Sequence, residues 1–249
     1  MAENTLKINA IVVQASQSGE NDKMLTLLSR EMGKLSVIAK GIRSLKHQSR
    51  NACGVLCYSS FVLKKIKDGF YSLVSAELSE SFRNLSQDVV LLSYGTYFAD
   101  LTRMCVQSAV DASEEVRLLL NTLYVLCKKP GNAPLIKAVF EFKIMELCGI
   151  LPEFSVECPC GNSGAYFCVS EGEVRCGEHK SPDAVLLNAA QIKICTYILE
   201  SSLRDALYCE YDGEISSSLS ALTEPFLAYH LGNLPNSLDY LHQIVKKIS

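Results

Sequence analysis

The spacing of apolar residues changes once along this chain, near residue 80, and that change constrains the fold more than any other feature. Before residue 80, apolar and polar side chains alternate, as they do from Leu6 to Val12, which is the period of a half-buried strand. After residue 80, apolar residues recur every three or four positions, which is the period of a helix. We therefore predict a β-rich domain over residues 1–80 and an α-helical domain over residues 81–249.

Several runs in the first part have the composition of β-strands, and together they indicate a small barrel. The last two are separated by Lys67-Asp68-Gly69, a strong hairpin signal. Residues 22–32 are the exception, because Met24, Leu27 and Leu28 share one helical face and predict a helical insertion. Short strands at this rhythm are typical of a Greek-key barrel such as the five-stranded OB-fold. The predicted strands cover residues 6–12, 34–40, 55–67 and 70–76.

Residues 81–249 contain residues that typically begin and end helices. Capping residues or Pro precede each apolar stripe, and Gly or a basic pair before Pro-Gly follows several of them. The fold class is therefore α+β, an N-terminal OB-fold β-barrel followed by an α-helical domain. The predicted helices begin at Ser86, Ser113, Pro134, Asn188, Pro225 and Ser237.

Residues 151–185 interrupt the helices and are predicted to form a small two-stranded insertion like a zinc ribbon. Its pairs Cys158-Pro-Cys160 and Cys176-Gly-Glu-His179 resemble the two short loops that hold tetrahedral zinc. Four protein ligands leave no open position, so the metal would be structural. Cys168 is a reserve ligand, although its place within a strand favours packing. The alternative is a decayed site with ordinary thiols, because the first pair is one residue shorter than usual.

Positive charge is concentrated at one end of the chain, although the net charge is −3. Residues 1–80 contain eleven Lys and Arg against seven Asp and Glu, which leaves a net of −7 for the rest. Between Arg30 and Lys67, nine basic residues accompany the single acid Glu31. Such an excess favours binding to phosphates of a nucleic acid. The candidate residues are Lys34, Lys40, Arg43, Lys46, Arg50, Lys64, Lys65 and Lys67.

Four aromatic residues, Tyr58, Phe61, Phe70 and Tyr71, are interleaved with these cations. Aromatic rings on OB barrels stack with the bases of single strands, so a binding role is one interpretation. The other interpretation places them in the barrel core, and we favour it for these residues.

No enzyme class is indicated by a recognisable motif. The sequence lacks a Gly-rich phosphate loop, a Gly-x-Ser-x-Gly elbow and a dinucleotide fingerprint. His230 and His242 fall within helical patterns, and Glu141 and Glu146 are expected to be solvated on helix faces. We therefore expect a protein that binds rather than catalyses.

Composition favours the cytoplasm. No apolar run approaches the roughly 18 to 20 residues of a membrane span. The N-terminus, Met1-Ala2-Glu3-Asn4, lacks the build of a secretory signal. Most of the eleven cysteines stand singly within apolar stretches, as buried thiols do in a reducing compartment.

Three segments, in this order, resemble the bacterial RecO family of recombination mediators. Gly33 to Arg43 resembles its strand and basic loop, and Phe140 to Pro152 resembles its central helix before the cysteine insertion. Residues 229–232 with 237–241 resemble its C-terminal helices. The departures are the shortened first cysteine pair and His179, where the family often has a fourth cysteine.

The resemblance implies binding of single- and double-stranded DNA, annealing of complementary strands and partnership with RecR, at the nucleoid in the cytoplasm. It also implies contact with the acidic tail of the single-stranded DNA-binding protein, so that recombinase is loaded. We assign DNA affinity to residues 1–80 and tail binding to cations amid apolar helices. The residues alone leave open an RNA-binding or translation-associated OB protein and a zinc hydrolase. The predicted tail-binding residues are Lys128, Lys129, Lys137 and Lys143.

Overall fold

The computed structural model describes residues 5–67, 69–155 and 157–248. The strands are β1 (Thr5–Ser18), β2 (Asp22–Ser29), β3 (Gly33–Ala39), β4 (Tyr58–Lys67), β5 (Phe70–Glu80), β6 (Tyr166–Cys168), β7 (Glu173–Arg175) and β8 (Val185–Leu186). The helices are α1 (Arg83–Ser86), α2 (Val89–Cys105), α3 (Ser113–Lys128), α4 (Ala133–Leu147), α5 (Ala189–Glu200), α6 (Leu203–Tyr208), α7 (Gly213–Ser218), α8 (Ser220–Leu231) and α9 (Ser237–Ile248).

The chain divides into two compact units. The first unit contains residues 5–127 and 235–248, and therefore combines the first five strands with α1, α2, α9 and nearly all of α3. The second unit contains residues 128–234, which carry α4 to α8 and the three short strands. Within the described ranges, every helix is too short or too polar to span a bilayer.

The first five strands close into a barrel with the order β1-β2-β3-β5-β4. Neighbouring strands are antiparallel except β3 and β5, which run parallel with Val37 opposite Tyr71. This is the Greek-key topology of the OB-fold, so the predicted barrel is confirmed. Side chains that alternate along each strand fill its interior with an apolar core, including Ala10, Val12, Leu25, Leu27, Leu35, Val37, Phe61 and Leu63.

The helical insertion predicted for residues 22–32 is wrong, because this segment is strand β2. Leu25 and Leu27 point into the barrel, and Met24 and Thr26 lie half-buried on its outer face. Leu28 is also buried, so both faces of the strand carry apolar residues at its end. The coincidence of Met24, Leu27 and Leu28 mimics a helical stripe, and pairing with β1 and β3 overrides it.

The loop between α2 and α3 is bonded to the turn between β2 and β3. The backbone amide of Lys34 donates to the carbonyl of Gln107 at 3.0 Å, and that of Ala109 donates to Met32 at 3.0 Å. Gly33 makes this approach possible, because its φ is +60° and a Cβ there would lie 2.1 Å from the Gln107 oxygen. Backbone hydrogen bonds therefore join the barrel to these helices within the first compact unit.

Helix starts agree with the sequence in part. Asn188 forms the predicted capping box with Gln191, and Ser113 begins α3. Ser86, in contrast, ends the short helix α1, and Asp88 caps α2 by accepting from the amides of Val90 and Leu91. The carboxylate is the stronger acceptor and lies closer to the apolar stripe.

The insertion within the second unit is a three-stranded sheet in the order β7-β6-β8. Its rings anchor it to the helices, since Phe154 stacks on Phe167 with centroids 5.2 Å apart and Phe167 contacts Phe226 of α8 at 5.7 Å. Phe154 also meets Phe142 of α4 edge to face at 5.9 Å. This aromatic chain supplies a core that the insertion is too small to build alone.

Candidate nucleic-acid interface and metal centre

The segment that follows β3, residues 40–50, is here called the basic loop. It is fixed to the turn between β1 and β2, because the Gly41 amide donates to the Asp22 carboxylate at 2.8 Å. Arg43 makes two further bonds to that turn, through its amide to the Asn21 carbonyl at 3.1 Å and its guanidinium to the Glu20 carbonyl at 2.7 Å. The loop is therefore held at the end of the barrel.

Consecutive tight turns order the backbone within the basic loop. The amide of Ser44 donates to Gly41, that of His47 to Ser44 and that of Arg50 to His47, each at 3.1 Å. Ile42 is buried in the barrel core and anchors the first turn. Its cations point outward and are exposed, and none of them has an acidic partner in the part of the chain that the structure describes. These cations are Lys40, Arg43, Lys46 and Arg50.

A second group of exposed cations lies at the β4–β5 hairpin and consists of Lys64, Lys65 and Lys67. Asp68 of the predicted hairpin turn lies outside the described residues. β5 begins beside Ser36 and runs parallel to β3, so the hairpin lies towards the start of β3 and the basic loop follows its end. The outer face of β2 and β3 thus lies between two groups of positive charge.

Lys34 differs from the other predicted cations. It is half-buried, and its ammonium group donates to the Arg103 carbonyl at 3.4 Å in the last turn of α2. A cation at the carboxyl end of a helix interacts favourably with the helix dipole. The interaction with the end of α2 therefore explains why a cation stands at position 34.

The aromatic residues of the barrel separate into two environments. Phe61 and Tyr71 are buried, so their predicted place in the core is confirmed. Tyr58 is half-buried, and the predicted core position is wrong for Phe70, which is 40% exposed at the start of β5, opposite Ser36 on β3. The ammonium group of Lys67 lies 5.0 Å from the centre of its ring. An exposed ring beside a cation is suited to stacking against a base.

The predicted metal ligands come together in the second unit. The ligand atoms of Cys158, Cys160, Cys176 and His179 all lie within 4.8 Å of one another. The sulfur atoms of Cys160 and Cys176 are 3.7 Å apart, and Nδ1 of His179 lies 3.3 Å from the Cys176 sulfur and 3.9 Å from that of Cys158. A tetrahedron with metal–sulfur bonds of about 2.3 Å has edges of about 3.8 Å, so four ligands fit one metal ion. This cluster can therefore hold a metal.

Backbone amides surround the sulfur atoms as they do in structural metal sites. The amides of Cys160 and Cys176 donate to the Cys158 sulfur and lower the pKa of that thiol. Burial opposes ionisation of Cys176, but the amides of Glu178 and His179, together with hydrogen bonds from Cys160 and Cys158, lower its pKa as well. Deprotonated thiols are the form that binds metal. Loop geometry thus prepares two of the ligands for coordination.

Arg175 belongs to the same site, although the sequence did not single it out. It lines a pocket of about 470 Å³ with Cys158, Cys160 and His179. Burial lowers the pKa of its guanidinium, but Glu171, Glu173 and the Cys158 thiolate together raise it. Its position directly before Cys176 was the available signal, because a cation there offsets the negative charge of the thiolates.

Other cysteines of the second unit have different environments. The Cys168 sulfur accepts the Ser181 amide at 3.3 Å and lies outside the cluster, so this thiol packs as its place within a strand predicts. Cys195 is fully buried, and burial raises the pKa of its thiol to about 12. Such a thiol behaves as a small apolar side chain.

Two of the four lysines predicted to bind a peptide are buried. Lys137 is 2% exposed, and its ammonium group lies 2.7 Å from Glu141 and 2.8 Å from Glu224. Lys143 donates to the Leu199 and Ser201 carbonyls at 3.3 and 3.0 Å, at the end of α5. Glu141 is fully buried, so the expectation that it is solvated is wrong.

The other two lysines lie nearer the surface. Lys128 is exposed, and Lys129 is half-buried with its ammonium group 2.8 Å from Glu210 and 5.4 Å from the ring centre of Tyr208. The assignment of all four lysines to an acidic peptide stays a prediction.

Fold and site define an OB-barrel protein with a helical second part and a Cys/His insertion. Two family models match it, Recombination protein O N terminal over residues 1–82 and Recombination protein O C terminal over residues 86–239. The chain belongs to the RecO family.

Known members of the family are similar to this chain along most of their length. The DNA repair protein RecO of Acetivibrio thermocellus is 28% identical, with 96% of each chain covered. That of Alkaliphilus metalliredigens is 28% identical over 98% of this chain and 99% of its own. That of Heliobacterium modesticaldum is 31% identical over 80% of this chain and 75% of its own.

Proposed function

We propose that this chain is a non-enzymatic mediator that binds single- and double-stranded DNA through its barrel. Membership of the RecO family supports a function in DNA repair and recombination. The observation that carries the binding mode is the pair of exposed cation groups, the basic loop and the β4–β5 hairpin, on either side of the outer face of β2 and β3. That face is where OB barrels bind nucleic acid strands.

The chemistry of such binding is charge neutralisation and stacking. Cations of both groups contact phosphates and release counterions, which gives affinity without sequence preference. The exposed ring of Phe70 stacks with a base of a single strand. Two strands held on one surface with their charge neutralised can then pair, which is the annealing step.

The mediator role adds protein partners. We propose that the second unit receives the acidic tail of the single-stranded DNA-binding protein and that RecR completes the assembly that loads recombinase. Of the four predicted lysines, Lys128 and Lys129 are the better candidates for the tail, because Lys137 and Lys143 are themselves buried. These partners would be met at the nucleoid in the cytoplasm, which is the location we propose.

A salt titration tests the DNA-binding proposal. Purified chain is titrated with single-stranded DNA, duplex DNA and RNA of equal length at several salt concentrations, and annealing of complementary strands is followed in parallel. We expect affinity for both DNA forms that falls steeply with salt, and faster annealing. Preference for RNA over DNA of the same length, with no annealing, would establish the RNA-binding alternative instead.

We also propose that the Cys/His cluster holds one structural zinc ion. Zinc bound there would fix the loop of Cys158 and Cys160 to that of Cys176 and His179. Elemental analysis of wild type should find about one zinc per chain. Cys176→Ser should lose the metal and increase hydrogen exchange in residues 151–185, whereas Cys168→Ser should keep it. Metal-free wild type with a protected insertion would contradict the assignment.

A further inference from the structure

Leu45 is the most exposed of the large apolar side chains in the described ranges, with 82% of its surface accessible. A single exposed leucine is common on protein surfaces and carries no meaning by itself. Leu45, however, lies within the basic loop, between Arg43 and Lys46, both of which are exposed. Solvation favours the exposure of the cations but not the exposure of an apolar side chain among them.

The backbone that presents Leu45 is fixed on both sides. Before it, Arg43 is bonded to the carbonyls of Glu20 and Asn21 on the neighbouring turn. After it, the amide of Lys46 donates to the Ser44 hydroxyl at 3.4 Å, and that of His47 donates to the Ser44 carbonyl at 3.1 Å. Leu45 therefore projects from an ordered turn.

We propose that Leu45 is a wedge that enters between stacked bases of duplex DNA and unstacks one step beside the basic loop. This inference deepens the proposed function and rests on it. Leucine is one of the side chains that proteins insert between base steps. The cations around it would hold the phosphates that flank the opened step, and the ordered turn limits the entropy lost on insertion.

Charge complementarity indicates which partner the basic loop binds. Among residues 30–67, Glu31 is the single acid beside nine basic residues, so a polyanion is the favoured partner of this loop. An anionic membrane offers the same charge together with an apolar interior, and the test therefore includes anionic lipid vesicles as a separate arm.

Base unstacking is measured with 2-aminopurine, whose fluorescence rises when it leaves the stack. Duplexes carrying the probe at successive positions, some with a single-stranded overhang, are titrated with full-length wild type and Leu45→Ala. Leu45→Met tests rescue by a side chain of similar length. Leu186→Ala is the matched control, because Leu186 is 64% exposed and lies in the second unit, away from the basic loop in sequence.

Wild type should raise the fluorescence at one or two probe positions. Leu45→Ala should lose most of that rise and bind duplex roughly three- to tenfold more weakly, while its dependence on salt stays unchanged because no cation is removed. Leu45→Met should restore the signal, and Leu186→Ala should match wild type.

Three results overturn the wedge. In the first, Leu45→Ala gives the full fluorescence rise. In the second, Leu186→Ala loses as much signal as Leu45→Ala. In the third, Leu45→Ala weakens binding to vesicles of phosphatidylglycerol and leaves the DNA signal intact, which assigns the residue to membranes. A failure of the proposed function looks different, because wild type itself would then bind no DNA.

Discussion

Lysines in the two units of this protein have opposite environments. Lys46 in the basic loop is exposed and has no acidic partner among the described residues, whereas Lys137 in α4 is buried between Glu141 and Glu224. Both stand in sequence as cations near apolar residues. One remains available to a ligand, and the other holds α4 against α8.

The difference shows that a charge must be counted together with its neighbours in space. Glu141 is four residues from Lys137, a spacing that brings side chains together on one helix face. Glu224 is 87 residues away and becomes a neighbour only through the packing of α8. The cations of the basic loop have no such partner among the described residues, because Glu31 is the single acid of residues 30–67 and the nearby Asp22 carboxylate accepts the Gly41 amide.

The largest effect expected from this comparison is on stability. Lys137→Met would remove the counter-charge of the buried Glu141 and the half-buried Glu224, and the loss of one partner of a buried ion pair typically costs about 3–5 kcal/mol. Urea denaturation of the full chain measures the change. Lys129→Met is the control, because its partly exposed pair with Glu210 should contribute only about 0–1 kcal/mol. Equal stability of Lys137→Met and wild type would show that the buried pair does not hold the second unit together.

The next effect concerns DNA affinity. Reversal of Arg43, Lys46 and Arg50 to Glu should weaken duplex binding by about a hundredfold or more near physiological salt, since each phosphate contact contributes about 0.9 to the salt slope. The slope should fall by roughly 2.7 for three contacts. Filter binding at four salt concentrations measures both quantities.

A matched triple reversal separates local contacts from net charge. Lys180, Lys193 and Arg204 are exposed in the second unit, and their change to Glu alters the total charge by the same amount. DNA binding by this control should remain close to that of wild type. An identical loss in both triple variants would mean that overall charge, and not the basic loop, determines affinity.

Much of the barrel could be predicted because the signals of a strand are contained in a short stretch of sequence. Residues 34–40 alternate and residues 70–76 follow a hairpin signal, and the structure has strands at both places. β2 was missed because the barrel end buries Leu28 as well as Leu25 and Leu27, which hides the alternation. Its true period is recognisable only once β1 and β3 are in place on either side.

The Cys/His cluster was the most predictable site, because each pair lies within one short loop and the spacing of ligands is local. The buried pair of Lys137 with Glu224 was not, because it depends on contact between distant helices. Leu45 shows the same limit, since an exposed leucine and a core leucine are identical in sequence. Local chemistry is thus recoverable from sequence, and burial set by tertiary packing is not.

A smaller effect distinguishes single-stranded from duplex DNA on the barrel. Phe70→Ala should weaken single-strand binding by about 1–3 kcal/mol per stacked base and leave duplex binding nearly unchanged. Phe70→Tyr keeps the ring and should bind as wild type does. Competition between oligonucleotides of equal length measures the ratio. An equal loss for both DNA forms would point to a role in the barrel structure.

The smallest effect is expected at the surface lysines of the second unit. Lys128→Glu with Lys129→Glu should weaken binding of an acidic, apolar-ended tail peptide about two- to fivefold, in line with the 0–1 kcal/mol typical of exposed ion pairs. Calorimetry should use the full chain, because residues 5–127 and 235–248 form one unit that a truncated helical fragment would cut. DNA affinity should change little.

Glu210 offers a control of opposite sign for the same surface. Its carboxylate pairs with Lys129 at 2.8 Å, and that bond together with the charge of Lys129 lowers the pKa of Glu210. Glu210→Gln removes the competing carboxylate, so Lys129 becomes available and peptide binding should strengthen up to about twofold. A stronger complex with Glu210→Gln and a weaker one with the double lysine variant would place the tail at this lysine pair. Unchanged heats in both variants would place it elsewhere, since neither partner of the ion pair would then take part.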